Sequence, residues 1–257
     1  SDLVGQKLGS SLFYKYFVGF GFIDRTGIDM LSESRVTDLL YFDESELNLL
    51  NLSVSSFGQN FKVTPIQMIT AMAAVANGGK LMQPYVVQQV LDGNGNVISN
   101  NRPKVKRQVI SESTSARINK MLADSAIDGG ARNAYIAGYR MAGKTGTSDK
   151  TYGGRDVVAS FSGYAPADDP QYVILVMLDE PQTAIRFGGT LAAPVAQKIM
   201  MEALPYLGVE PKYTKEEIAA MERTTPNVTD KKVSVAQTLL TNSNLRYHVV
   251  GSGETVI

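Results

Sequence analysis

Apolar residues run at mixed three- and four-residue spacing from Leu3 through Val4, Leu8, Leu12, Phe13, Tyr16 and Phe17 to Phe20. Gly9 interrupts this pattern, which predicts two short helices closed by Gly19 and Gly21. A stronger helix signal begins at Thr64-Pro65, where Thr64 suits the N-cap, Pro65 the first helical position and Gly78 the terminator. That helix, 65 to 77, is apolar nearly all round and should be buried. Residues 85 to 99 alternate like strands on either side of Asp92-Gly93-Asn94-Gly95, which predicts a hairpin. Ser111 or Ser113 should start another helix, with Ile118, Met121, Leu122 and Ala126 sharing one face.

Two further strand-like runs, DVVASFSGYAP (156 to 166) and QYVILVMLDEP (171 to 181), are joined only by Ala167-Asp168-Asp169-Pro170. Four residues can join antiparallel neighbours, whereas a parallel crossover needs about a dozen or more, so this sheet is expected to be antiparallel. TLAAPVAQKIMMEALPYLG (190 to 208) reads as a helix ending before Pro205 and Gly208. Residues 1 to 208 thus form one domain. Polar residues 209 to 224 read as a linker with a helical piece. Residues 225 to 257 read as part of a small second module, with a short helix at 234 to 241 and a strand at 245 to 250.

Composition narrows the chemistry. With 257 residues, 44% of them hydrophobic, the chain can bury one sizeable core. Twenty-five basic residues balance twenty-five acidic ones, so charge offers no footprint for nucleic acid or an anionic membrane. The absence of cysteine and a single histidine, His248, argue against structural zinc, thiol catalysis and a Ser-His-Asp triad, and no metal or cofactor is expected. No run approaches the roughly 20 apolar residues of a membrane span. The chain opens on SDLVGQKLG, without methionine or signal peptide, and is expected to be a piece of a longer protein.

Residues 139 to 150, YRMAGKTGTSDK, invite two chemistries. Gly138 through Thr145 satisfies the phosphate-loop spacing, and VILVMLDE (173 to 180) imitates a strand ending in metal-holding acids. A phosphate loop, however, needs a helix starting at Lys144 to receive the phosphates. GTSDKTYGGRD follows instead, dense in turn formers, and the acid-ended run belongs to an antiparallel hairpin. Nucleotide binding is therefore rejected. Read as an edge strand, the same residues set Lys144, Thr145 and Gly146 beside a cleft: a positive charge, a hydroxyl for a carboxylate, and a glycine that lets a ligand backbone approach.

Lys-Thr-Gly is also the third motif of the penicillin-recognising serine enzymes. Together with SSFGQNFKVTPIQMITAMAAVANGGKLMQPYVV (55 to 87), ASFSGYAPADDPQYVILVMLDEP (159 to 181), FGGTLAAPVAQKIM (187 to 200) and FYKYFVGFGFIDRTGID (13 to 29), it closely resembles the class B penicillin-binding proteins, the D,D-transpeptidases of peptidoglycan. The resemblance implies an α/β (α+β) penicillin-recognising transpeptidase fold, an antiparallel sheet flanked by helices, here without its N-terminal portion. PNVTDKKVSVAQTLL and VVGSGETVI resemble part of a PASTA module, a small α+β tail found in Gram-positive members of sporulation and division type. In the family a serine attacks the penultimate D-Ala carbonyl of a stem peptide and expels the terminal D-Ala. An amine of a neighbouring strand then takes the acyl group, and β-lactams stall the first step. By resemblance, Lys144 and Thr145 serve the substrate carboxylate, Gly146 keeps the strand accessible, and the Thr147 N–H is one of two oxyanion donors. Peptidoglycan stem peptides, β-lactams once a nucleophile is supplied, and sporulation or division proteins are the implied partners. The implied location is the outer face of a bacterial membrane, by an anchor not in this chain.

The family's S-x-x-K nucleophile motif is absent from every serine of the sequence, and Ser99-Asn100-Asn101, which fits S-x-N, lies in the exposed hairpin and reads as accidental. The chain alone is therefore expected to be inactive. The alternative is a non-catalytic piece that binds peptidoglycan or a partner. Without neighbours for the helix at 65 to 77, the chain is also expected to be destabilised or to associate through apolar surface. Asn60, at a position where the family usually has glycine, and DGGARNAY (128 to 135) depart from the pattern without touching chemistry. Asp168-Asp169 reads as turn chemistry, Asp179-Glu180 as a solvated strand end, His248 as a surface residue, and Tyr152-Gly153-Gly154 as a lip near the cleft or a plain loop.

Overall fold

Gly9 splits the N-terminal apolar run as expected, giving helices α1 (Asp2–Leu8) and α2 (Ser10–Gly19) in a computed structural model that describes residues 2–34, 43–150, 156–221, 225–243 and 245–257. The lip residues 152 to 154 lie outside the described residues. The chain divides into two units, Ser1–Pro211 and Lys212–Ile257.

In the first unit α2 buries Phe17 and Leu47 among Phe13, Phe22, Ile23 and Phe61, with Phe61 edge-on to Phe17 at 5.1 Å. Helix α3 (Leu49–Ser55) is capped by Asn48, and α4 (Pro65–Ala76) starts with a full capping box. There the Gln67 amide donates to the Thr64 hydroxyl at 3.2 Å and the Gln67 side chain accepts from the Thr64 amide at 2.8 Å. Buried Gln67 also donates to the carbonyls of Gly21, Phe22 and Asp24, which ties α4 to the end of the first helical pair. Every residue of α4 after Pro65 is buried or half-buried. Large apolar exposure falls instead on α1 and α3, where Leu3, Val4, Leu49 and Leu50 are 67 to 72% exposed. Asn60 adopts φ 67°, a left-handed conformation that glycine enters freely and asparagine tolerates, which explains the substitution there.

Strands β1 (Lys80–Gln83), β2 (Gln89–Leu91), β3 (Val97–Asn100) and β4 (Lys104–Gln108) follow, with β2 paired to β3 across the expected turn and β1 paired to β4, both antiparallel. Helix α5 (Glu112–Asp128) is capped by Ser111. Its inward stripe differs from the expected one: Met121 is 63% exposed, and Ser115 is buried in its place. The reason is polar. Ser115 Oγ donates to Val75 O at 2.6 Å and Asn119 Nδ2 to Ala76 O at 3.4 Å, satisfying carbonyls that the last turn of α4 leaves open.

The main sheet is β5 (Ala142–Asp149), β6 (Val157–Ala165) and β7 (Tyr172–Asp179), antiparallel in the order β5-β6-β7. One face, with Phe161 and Val176, packs on Ala192, Ala193, Ala196 and Met200 of α6 (Gly188–Tyr206). The other, with Ala142 and Tyr164, packs on Met72 and Ala76 of α4 and Leu122 of α5. Helix α6 begins two residues earlier than expected and runs through Pro205, which sits in the last turn and removes a single backbone donor there. Val209 is buried in this core and Tyr139 Oη donates to its carbonyl at 3.1 Å, so 209 belongs to the first unit rather than to a linker.

The second unit holds α7 (Lys215–Met221) and α8 (Val233–Asn242). The expected strand at 245 to 250 does not form, and residues 246 to 250, including His248, are exposed. Pairing occurs further on, where the Asp230 amide donates to Val256 O and the Val233 amide to Glu254 O, because those stretches find a partner backbone.

Candidate active site

Strand β5 carries the four residues singled out in the sequence on the edge of the main sheet, and no helix follows Lys144, so the phosphate-loop geometry is absent. The Lys150 amide donates to Asp156 O at 2.9 Å, which makes that pair hydrogen-bonded, and the register runs unbroken from Asp149↔Val157 back to Ala142↔Tyr164. In an antiparallel ladder every second residue bonds the neighbour. Lys144, Gly146 and Ser148 therefore direct their amides to β6, while Thr145 and Thr147 direct theirs to the open edge. Lys144 Nζ reaches along that edge to donate to Thr145 O at 2.9 Å.

Side chains alternate in the same register. Lys144 and Gly146 share a face with their cross-strand partners Ser162 and Ser160, and a Cβ on Gly146 would fall 2.5 Å from Ser160 Oγ. Ser162 is 7% exposed and its hydroxyl has no hydrogen-bond partner among the described residues. Thr145 and Thr147 lie on the α6 face. There Thr147 Oγ1 accepts from the Gly188 amide at 3.2 Å, capping the first turn of α6.

That contact needs Gly188. A Cβ there would stand 2.2 Å from Gly146 O and 2.3 Å from Ser160 O, so only glycine lets α6 start against the β5–β6 pair. Its neighbour Gly189 faces Gly130 O, which a Cβ would approach to 2.8 Å, and Thr145 Cγ2. Asn133 Nδ2 donates to Gly189 O at 2.8 Å and Gln197 Nε2 to Tyr135 O at 2.6 Å. The 128 to 135 segment, expected to leave the chemistry untouched, thus packs beside Thr145. Gly188, Gly189 and Gly130 were missed as site-forming residues, and the paired glycines at the start of α6 are the signal that could have found two of them.

The acids settle elsewhere. Asp168 pairs with Arg140, and Asp169 accepts from Gln171. Asp179 and Glu180 are not merely solvated, since Lys150 Nζ donates to them at 2.9 and 2.6 Å. Hydrogen bonds from Lys150 to Glu180 and then Asp179 raise its pKa above the usual lysine range. No helix among the described residues is long and apolar enough to cross a membrane.

An open sheet edge carrying Lys-Thr-Gly is thus backed, among the described residues, by the glycine start of a helix. The chain belongs to the penicillin-binding protein transpeptidase domain family, which it matches over residues 2–201. It is similar to stage V sporulation protein D of Bacillus subtilis, at 38% identity over 99% of this chain and 40% of that protein. It is also similar to the peptidoglycan D,D-transpeptidase FtsI homolog of Mesostigma viride, at 31% identity over 76% of this chain and 36% of that one. Penicillin-binding protein 3 of Mycobacterium tuberculosis, solved in complex with ampicillin, superposes with a TM-score of 0.73 at 26% identity, over 83% of this chain and 50% of that one. The chain thus spans 36 to 40% of the length of these two curated relatives.

Proposed function

We propose that this chain supplies the substrate-holding edge of a D,D-transpeptidase that cross-links peptidoglycan stem peptides through a serine acyl-enzyme and that β-lactams inhibit. The open edge of β5, with the Thr145 and Thr147 amides directed outward, carries this reading, because an extended peptide can add along such an edge. The serine Oγ bonds the penultimate D-Ala carbonyl carbon, the terminal D-Ala leaves as the amine, and an acceptor amine later displaces the serine. The Thr147 N–H stabilises the oxyanion, Gly146 keeps the edge open, and Lys144 with Thr145 takes the substrate carboxylate.

With no S-x-x-K in this sequence, the nucleophile and its lysine base come from residues outside it, and this chain alone is inactive. Residues 225 to 257 are a partial PASTA module of a Gram-positive, sporulation- or division-type protein that works on the outer face of the membrane from an anchor elsewhere. The missing motif also favours a second reading, a non-catalytic piece that binds peptidoglycan or a partner protein.

One experiment separates them. Intact-protein mass spectrometry with a labelled penicillin should show no adduct on this chain and one adduct on the longer gene product. An adduct on this chain overturns its inactivity, and none on the longer product leaves the non-catalytic reading.

A further inference from the structure

Although the chain is neutral overall, residues 93 to 111 carry four cations, Arg102, Lys104, Lys106 and Arg107, and no acid. Away from β5, a cavity of ≈ 220 Å³ opens beside them, lined by Asp29, Gln83, Tyr85, Asn101, Arg102 and Lys104 among others. Its frame is braced by hydrogen bonds. The Asp29 carboxylate accepts from the Val86 amide at 2.7 Å, the Val87 amide at 3.0 Å and Asn101 Nδ2 at 3.3 Å. The Val86 bond chiefly holds its pKa below the usual carboxylate value, so Asp29 stays ionised as a structural acceptor. Asn101 Nδ2 also donates to Val87 O and Gln83 Nε2 to Gly27 O, both at 2.8 Å.

The four cations divide in two. Lys106 donates to the carbonyls of Arg25 and Thr26, and Arg107 faces Asp24 at 4.0 Å. The Arg102 and Lys104 side chains have no hydrogen bond or ion pair among the described residues, and both residues line the cavity. Pro103 restricts Arg102 to extended backbone, which limits the order that binding would have to impose.

We propose that this cup is an anion subsite in which Arg102 and Lys104 take a carboxylate or phosphate borne by a hydroxyl-rich polymer. Guanidinium and ammonium together suit such an anion, while the Tyr85 ring and the Asn101 amide oxygen offer contacts to the adjoining unit. The volume lies below the roughly 300 Å³ at which drug-sized pockets begin, so one unit enters while its polymer continues outside. Two positive charges against the one of Asp29 leave a small surplus, and binding is weak and salt-sensitive. The subsite uses none of β5 and is independent of the acyl-transfer reading.

Titration of this chain, followed by amide NMR, tests it with N-acetylmuramic acid as the carboxylate probe, glycerol phosphate as the phosphate probe and N-acetylglucosamine as the neutral control. Saturable shifts at Gly27, Asn101 and Lys104 are expected with an anion and not with the neutral sugar, and the tighter anion identifies the source. The Arg102→Gln/Lys104→Gln variant, altered only at exposed positions, should keep its melting temperature and bind about tenfold or more weakly. No saturable shift with either anion, an equal response to the neutral sugar, or unchanged binding by the variant overturns the proposal.

Discussion

Strand β6 and the β2–β3 hairpin are both β structure with apolar residues, and their fates are opposite. Ala159, Phe161 and Tyr164 of β6 are 0% exposed, whereas Val97 and Ile98 of β3 are 55 and 66% exposed. The difference lies in what covers them. Strand β6 sits between two strands with α6 on one face and α4 on the other, while among the described residues β2 and β3 pair only with each other. A two-stranded hairpin has no further layer on which to bury its side chains. The comparison predicts where substitutions are felt.

The largest effect is expected at the seam that clamps the sheet. Gly188→Val drives a branched side chain into backbone carbonyls of both β5 and β6, and chemical denaturation should show a loss of about 4 kcal/mol or more, or no folded protein. Phe161→Ala should cost about 3 to 5 kcal/mol, whereas Ile98→Ala in the hairpin should stay within about 0.5 kcal/mol. Equal losses at the two positions would break the comparison.

A smaller effect of opposite sign is expected at Ser162. Its buried, unpartnered hydroxyl carries an uncompensated desolvation cost, so Ser162→Ala should raise stability by up to about 1 to 3 kcal/mol, read as an upward shift of the melting temperature. A lower melting temperature would mean that the hydroxyl has a partner in solution.

The smallest concerns the exposed far end of the sheet. Lys150 has its pKa raised by Glu180 and Asp179, so folding binds its proton more tightly. The contribution is fully present below the ordinary lysine pKa of 10.5 and is lost as pH rises through the higher folded value. Lys150→Met should therefore narrow the gap to the parent in melts above pH 10.5, with little change from pH 6 to 9. A gap that does not depend on pH would assign the effect to packing.

Much of the architecture was legible in local chemistry. Thr64 and Pro65 announce a helix start because capping uses bonds within four residues, and the four-residue link 167 to 170 compels an antiparallel pair because no longer path exists. The α5 stripe misled because Ser115 and Asn119 turn inward to serve carbonyls of α4, some forty residues away. Segment 128 to 135 looked remote from the chemistry for a similar reason. Gly130 comes beside Thr145 only through the folding of the chain, fifteen positions apart in sequence.

By itself the sequence determined the helix boundaries near caps and glycines, the sense of the β6–β7 pair, and the placing of Lys144 to Thr147 on a strand rather than at a helix start. Each rests on steric and hydrogen-bonding rules that act within a few residues. Tertiary structure alone decided that the Thr145 and Thr147 amides face an open edge, that Gly188 and Gly130 pack beside these residues, and that Arg102 and Lys104 line one cavity with Asp29. Those facts depend on strand register and on packing between distant segments, which no local pattern encodes.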